Sequence, residues 1–259
     1  MKALSLRAIV CGLLLAAGPL QAANQSYSFE SGETLHYDIF YHWGIIWKKA
    51  ARGTLHLKEA CYRGQDAYHM NLACKTLSFA DKIMRVRDTL NAYTTRGVLP
   101  LHYEKISNEG SYWGKDVLDY IYRSNKTGGK VEIFRRNRPT RDTINWIPTH
   151  GYDMLSVFYY LRTLDYNNFK LFHTIALPIF TGRKVITMNV KYMGKTIVTL
   201  RNKKQWHAYR FNLSFVNDDN LKDEDPPIEV WMSNDKRKIP LKVEGKLPLG
   251  SLQAEYSGK

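Results

Sequence analysis

The sequence predicts a β-rich protein whose largely antiparallel sheet curls around, or is plugged by, a single helix. Three observations predict it: period-two alternation of β-branched and aromatic residues, turn signals at hairpin-like intervals, and one segment with helical spacing. Leu35, Tyr37, Ile39 and Tyr41 form one alternating face, and Tyr68, Met70 and Leu72 form another. Met188, Val190 and Tyr192 repeat it, followed by a predicted turn at Met193-Gly194-Lys195 and a strand over Thr196–Leu200. Tyr209, Phe211, Leu213 and Phe215, and then Ile228, Val230 and Met232, continue it. The stretch Asn125-Lys126-Thr127-Gly128-Gly129 reads as a turn between two such runs.

The helical segment runs from Asp153, whose carboxylate suits an N-terminal cap, to about Leu164. Met154, Leu155, Phe158, Leu161 and Leu164 fall on one stripe at three- and four-residue spacing, with Ser156, Tyr159 and Arg162 on the other side. One helix among many strands cannot build a core of its own and must pack on the sheet. No solenoid-length repeat or low-complexity linker interrupts the chain, so residues 23–259 read as a single β-rich domain.

Residues 1–22 have the layout of a secretory signal: Lys2 and Arg7, an apolar run over Ala8–Ala17, then Gly18-Pro19 and the small Ala22-Ala23. The run is too short to span a bilayer, and no later stretch is apolar enough to be a transmembrane segment. The expected compartment is the bacterial periplasm. The formal charge of +14 falls to +12 without Lys2 and Arg7, which favours anionic partners. Export turns that charge away from nucleic acid and towards anionic lipid, lipopolysaccharide or acidic glycan; a basic surface with no specific partner explains it equally. Cys61 and Cys74 remain after processing, where disulfides persist. A hairpin turning at Arg63-Gly64-Gln65-Asp66 places Cys61 opposite Tyr68 and roughly 20 Å from Cys74, beyond disulfide reach, whereas a longer irregular loop would bring them closer.

Several separated stretches resemble a bacterial family of exported proteins, the domain of unknown function 3108 family. They are Gly32-Glu33-Thr34-Leu35-His36-Tyr37, Asp88–Tyr93 with Leu99-Pro100-Leu101-His102-Tyr103, and Tyr152-Asp153-Met154-Leu155-Ser156 leading into Tyr159-Tyr160-Leu161-Arg162. The last are Val230-Trp231-Met232-Ser233 with Asp235, Arg237, Ile239 and Pro240, and the closing Leu249-Gly250-Ser251. The resemblance implies an all-β, mostly antiparallel architecture of curved-sheet or half-open barrel type, and no established activity. One departure is Lys48-Lys49, where a more apolar approach to Gly53 is expected; it leaves the course of the first hairpin open.

No G-x-S-x-G elbow, phosphate-binding glycine loop, paired-cysteine zinc spacing or His-Glu-x-x-His arrangement occurs, so no catalytic residue, metal site or cofactor is assigned. Asp218-Asp219-Asn220-Leu221-Lys222-Asp223-Glu224-Asp225 offers oxygen ligands but lacks the spacing of a calcium loop and reads as a solvated inter-strand segment. Aromatic residues make up 13% of the chain. Tyr41, Trp43, Trp113 and Trp231 are candidates for stacking on a sugar ring or lining an acyl cavity, although core packing enriches aromatics in the same way. Alternation puts Trp231, Ser233, Asp235 and Arg237 on one strand face, which adds Asp235 and Arg237 to the candidate ligand set, as a structural ion pair or a polar contact. Arg135, Arg136, Arg138 and Arg141 form a candidate anion clamp, or a charged hairpin tip that keeps the sheet edge soluble.

The expectation is therefore a non-catalytic envelope protein that binds a lipid or glycan in an aromatic-lined concavity. The alternatives are a hydrolase of envelope polysaccharide or peptidoglycan using paired carboxylates such as Asp153 or Asp235, and a structural subunit of an envelope complex, which an exposed apolar patch would favour.

Overall fold

A computed structural model describes residues 28–136, 138–182, 184–216, 228–247 and 250–258. The leader at 1–22 and the acidic segment 218–225 lie outside the described residues. The first half contains β1 (Thr34–Trp43), β2 (Ile46–Tyr62), β3 (Gln65–Thr76), the one-turn helix α1 (Ser78–Asp81), β4 (Arg87–Thr95), β5 (Pro100–Glu109), β6 (Tyr112–Arg123), β7 (Lys126–Arg135) and β8 (Arg138–Ile147). Helix α2 (Ser156–Thr163) and a single 3-10 turn (Tyr166–Asn168) lead into β9 (Thr174–Phe180), β10 (Val185–Thr199), β11 (Gln205–Val216), β12 (Ile228–Ser233), β13 (Pro240–Lys246) and β14 (Ser251–Gly258).

All strands belong to one antiparallel 14-stranded sheet, in the order β8-β7-β6-β5-β4-β3-β2-β1-β14-β13-β12-β11-β10-β9. Each half is a meander, and β1 and β14 join the two at the centre. The sheet does not close by strand pairing. Instead Tyr152, in the β8–α2 connection, bridges Ile179 in parallel: its amide donates to the Pro178 carbonyl (2.9 Å), and its carbonyl accepts from the Phe180 amide (2.8 Å). Phe180 fills the seam, edge-on to Tyr120 at 5.5 Å.

The alternation expected along β3, β10, β11 and β12 is observed: Met70, Met188, Val190, Tyr192, Phe211, Leu213, Val230 and Met232 are all buried. The helix expectation needs one change. Leu155 and Leu161 of the expected stripe are buried, but Met154 is exposed, and Ser156, Tyr159 and Arg162 on the other side are buried as well. Sheet surrounds α2, so Tyr159 joins the core cluster of Tyr37, Leu57, Met70 and Phe180, and Leu161 that of Met188, Val190 and Phe211.

Two predicted turns are strand interior. Gly128 and Gly129 sit within β7, and the turn lies at Ser124-Asn125. A Cβ on Gly129 would approach the Phe180 ring to 2.6 Å and one on Gly128 the Trp146 ring to 2.7 Å, so these glycines make room for aromatics on both faces. Met193-Gly194-Lys195 is a bulge in a continuous β10, with Gly194 at a φ of +100°. The β2–β3 turn is the two-residue Arg63-Gly64, both at positive φ, which shifts the register so that Cys61 faces Asp66 and Cys74 faces Gly53. Both thiols are free. The β1–β2 hairpin accommodates its lysines through a bulge at Ile39/Phe40: Lys49 pairs with Asp38 at 2.5 Å and Lys48 lies over the Phe79 ring.

Candidate functional site

The concave side, where a ligand was expected, is occupied by the protein's own helix. The Asp153 carboxylate accepts from the amides of Leu155 (2.9 Å) and Ser156 (2.8 Å), the Ser156 hydroxyl (2.7 Å) and the Tyr120 hydroxyl (3.2 Å). It caps α2 from outside the helix proper. Burial pushes its acidity down, so the carboxyl pKa rises, and the donors from Ser156, Leu155 and Tyr120 oppose that. One and two turns on, Arg162, only 1% exposed, forks onto Glu33 at 2.6 and 2.8 Å. It also donates to the carbonyls of Ser28 and Arg237 and lies against the rings of Phe29 and Tyr159. The bidentate ion pair ties the helix to the entrance of β1 and to the β12–β13 turn. Burial raises the phenols of Tyr37, Tyr103 and Tyr120 above their ordinary range, so they stand as neutral core hydroxyls. A void of about 100 Å³ at the seam, beside Tyr103, Met154 and Phe180, is small against the roughly 300–1,000 Å³ of a ligand pocket.

The structure divides the candidate ligand set. Trp231 is nearly buried, flanked by the Lys242 ammonium at 4.5 Å and the Arg210 guanidinium at 5.7 Å, so its ring is not offered to a sugar. Strand β12 ends at Ser233, and Asp235 and Arg237 lie in the following turn rather than on a strand face. Asp235 Oδ1 accepts from the Ser233 hydroxyl and the amides of Arg237 and Lys238, and its other oxygen is 3.5 Å from the Arg237 guanidinium. That carboxylate organises a turn, as Asp153 organises a helix start.

Tyr41, Trp43, Trp113 and Arg135 share the other end of the sheet, where the β1–β2, β5–β6 and β7–β8 hairpins turn. Tyr41 and Trp113 are half-buried, and Trp43 is exposed. Of the four arginines proposed as an anion clamp, Arg135 is held by Asp116 at 2.5 Å, and Arg136 is an exposed turn residue. Arg138 and Arg141 belong to β8, and their side chains lie outside the described residues.

What this end does assemble is an apolar rim. Trp43, Ile45 (99% exposed) and Trp47 project from the β1–β2 hairpin. Beside them, α1 and the loop after it present Phe79, Ile83 (82% exposed) and Met84. The two projections touch: the Leu77 amide donates to the Ala50 carbonyl at 2.8 Å, and Lys48 lies 5.6 Å over Phe79. Trp47 is fixed between a stacked His42 ring and the Arg201 guanidinium, each 3.9 Å away. Lys48, Lys82 and Arg85 are exposed around the apolar residues, and none is within salt-bridge distance of a carboxylate among the described residues. Phe79, Ile83 and Met84 escaped the sequence reading. The alternation of apolar and basic residues in Phe79-Ala80-Asp81-Lys82-Ile83-Met84-Arg85 was the available signal.

The profile of one family, described as protein of unknown function (DUF3108), matches residues 36–257. The chain belongs to the DUF3108 family. No curated protein matches the chain. Among solved structures, a crystal structure described as a beta-barrel-like protein of domain of unknown function DUF1849 from Brucella abortus superposes with a TM-score of 0.54 at 8% identity, covering 86% of this chain and 94% of that one. At that identity the likeness is one of fold. It agrees with the DUF3108 chain forming a barrel-like sheet around its helix.

Proposed function

We propose that this DUF3108 protein is an exported, non-catalytic envelope protein that docks peripherally on an anionic lipid surface through the apolar rim of Trp43, Ile45, Trp47, Phe79, Ile83 and Met84. The observation that carries the reading is the juxtaposition of that rim with the unpaired Lys48, Lys82 and Arg85. Tryptophan and phenylalanine favour the membrane interface, and each basic residue near an anionic leaflet adds about 1 kcal/mol of attraction. The rim is built of narrow hairpin and loop tips, a shape that inserts between head groups more readily than it mates with a flat protein face. The positive charge of the whole chain acts in the same direction. The filled interior moves the binding surface from the concavity to the rim, and the carboxylates of Asp153 and Asp235 are committed to backbone amides, which leaves the hydrolase alternative without a supporting observation.

Vesicle co-sedimentation of the chain lacking residues 1–22 tests it, comparing phosphatidylcholine with phosphatidylcholine–phosphatidylglycerol. Binding to the anionic vesicles that falls with salt is expected. The Ile45→Ser/Ile83→Ser variant should bind about tenfold or more weakly, since each buried isoleucine contributes about 1.5–3 kcal/mol. Equal binding by variant and parent, or none by the parent, overturns the proposal.

A further inference from the structure

On the outer face of the same half, β1 to β4 floor a groove of about 770 Å³. Alternation assigns its walls: Tyr37, Ala51 and Leu55 are buried on the inner face, so Asp38, Arg52 and Thr54 point outwards. Cross-strand register then aligns one row, Asp38–Arg52–Lys75–Arg87, each residue directly opposite the next. Three consecutive cations therefore stand about 5 Å apart at Cβ. Lysines and arginines are common on sheet edges, where they block unwanted pairing. That explanation does not apply here, because these strands lie in the middle of the sheet order.

The row is incompletely neutralised. Asp38 is taken by Lys49 at 2.5 Å and only grazes Arg52 at 4.0 Å, while Arg87 forks onto Asp81. Lys75 has no ion-pair partner among the described residues, and Arg52 is mostly exposed. Asp88 also borders the groove, but its carboxylate lies on the opposite face and accepts from the Asn108 amide. Lys49, Arg52, Lys75 and Arg87 set against Asp38 and Asp81 leave an excess of two positive charges on this face, and of one with Asp88 counted. Exposed Ala73 keeps the floor low between them, and the hydroxyls of Thr54 and Thr89 line the next row. Like charges placed directly opposite each other destabilise a strand pair. A bound dianion bridging Arg52 and Lys75 removes that cost.

We infer that this groove is a binding site for a phosphoryl group, with the Arg52 guanidinium forking onto two phosphoryl oxygens and Lys75 supplying a point charge. The inference does not depend on rim docking. The phosphoryl group can belong to a soluble phosphate ester or to a lipid head group, and the groove volume suits a ligand larger than the anion alone.

The test has two arms, calorimetric titration with glycerol 3-phosphate and flotation with phosphatidic acid vesicles. Each uses the parent, Arg52→Gln/Lys75→Gln, the single Lys75→Gln, and Lys170→Gln, an exposed residue before β9 outside the groove lining, as control. Loss of both cations should weaken binding by about tenfold or more, since a hydrogen bond to a charged group contributes about 1.5–3 kcal/mol. Lys170→Gln should match the parent. In phosphate-free buffer the single variant should melt no lower than the parent, because it removes repulsion rather than a contact, and glycerol 3-phosphate should raise the Tm of the parent and of Lys170→Gln but not that of the double variant. Saturation by the soluble ester assigns the site to a soluble ligand, and binding confined to vesicles assigns it to a lipid; both support the inference when the double variant loses them. Ile45→Ser/Ile83→Ser should retain glycerol 3-phosphate binding, which separates failure of rim docking from failure of the groove. Equal affinity of parent and double variant in both arms, or no saturable binding in either, overturns the inference.

Discussion

Arg162 and Arg52 are the same side chain in two regions of one sheet. Inside, Arg162 meets Glu33, two carbonyls and two aromatic rings. On the outer face, Arg52 faces another cation across the strand and only grazes a carboxylate already held by Lys49. Aromatic residues divide in the same way: Tyr159 and Phe180 are wholly enclosed, whereas Trp43 and Phe79 are exposed. The difference teaches where to look for function. Polar chemistry satisfied from within stabilises the fold, and apolar or cationic groups left unmatched at the surface are the ones that can act on something else.

Substitutions can break that contrast, and the largest effect belongs inside. Arg162→Ala should cost about 3–5 kcal/mol in urea unfolding, because it strands the Glu33 carboxylate in a largely enclosed site. Pairing it with Glu33→Gln should recover part of the loss; no recovery would mean that the guanidinium acts through packing alone. Next, Gly129→Ala should cost about 1–3 kcal/mol by driving a methyl into Phe180 and Leu118, read by thermal melting and by the near-ultraviolet signal of the seam tyrosines. A neutral result would show that the seam is loose and that the sheet edges part there.

A smaller, pH-dependent effect is expected near the rim. Hydrogen bonds from Arg87 and Thr76 hold the Asp81 carboxyl down at about 2. Its folded pKa is below the unfolded value near 3.9, so its stabilisation is complete above that value and is lost as pH falls towards 2. Asp81→Asn should therefore flatten stability between about pH 4 and pH 2 in acid titrations followed by circular dichroism, and a parallel displacement of the two curves would contradict the assignment. Smallest of all should be the rim: Ile45→Ser should change stability by about 0.5 kcal/mol or less, in keeping with a side chain almost fully in solvent, while lowering vesicle binding.

How much of this was legible in the sequence follows from how local each signal is. Burial along β10 to β12 could be read because period two is fixed by the backbone of any strand. The helix boundaries could be read because spacing and a capping acid are properties of a dozen neighbouring residues. Gly128-Gly129 misled because composition reports only that small residues are needed there; Phe180, far along the chain, supplies the reason. The burial of Arg162 was not legible for the same cause, since its partners Glu33 and Arg237 lie far from it along the chain. Trp231 and Asp235 looked paired on one face, but the strand ends between them.

By itself the sequence determined the all-β class, the one internal helix and membership of a recognisable family, because alternation, capping and turn chemistry act over a few residues. Only the tertiary structure decided that the concavity is filled, that Lys75 faces Arg52, and that the β1–β2 tip meets α1. Those facts depend on cross-strand register and on which distant segments share an end of the sheet. A one-residue change in register would put each of those side chains on the other face.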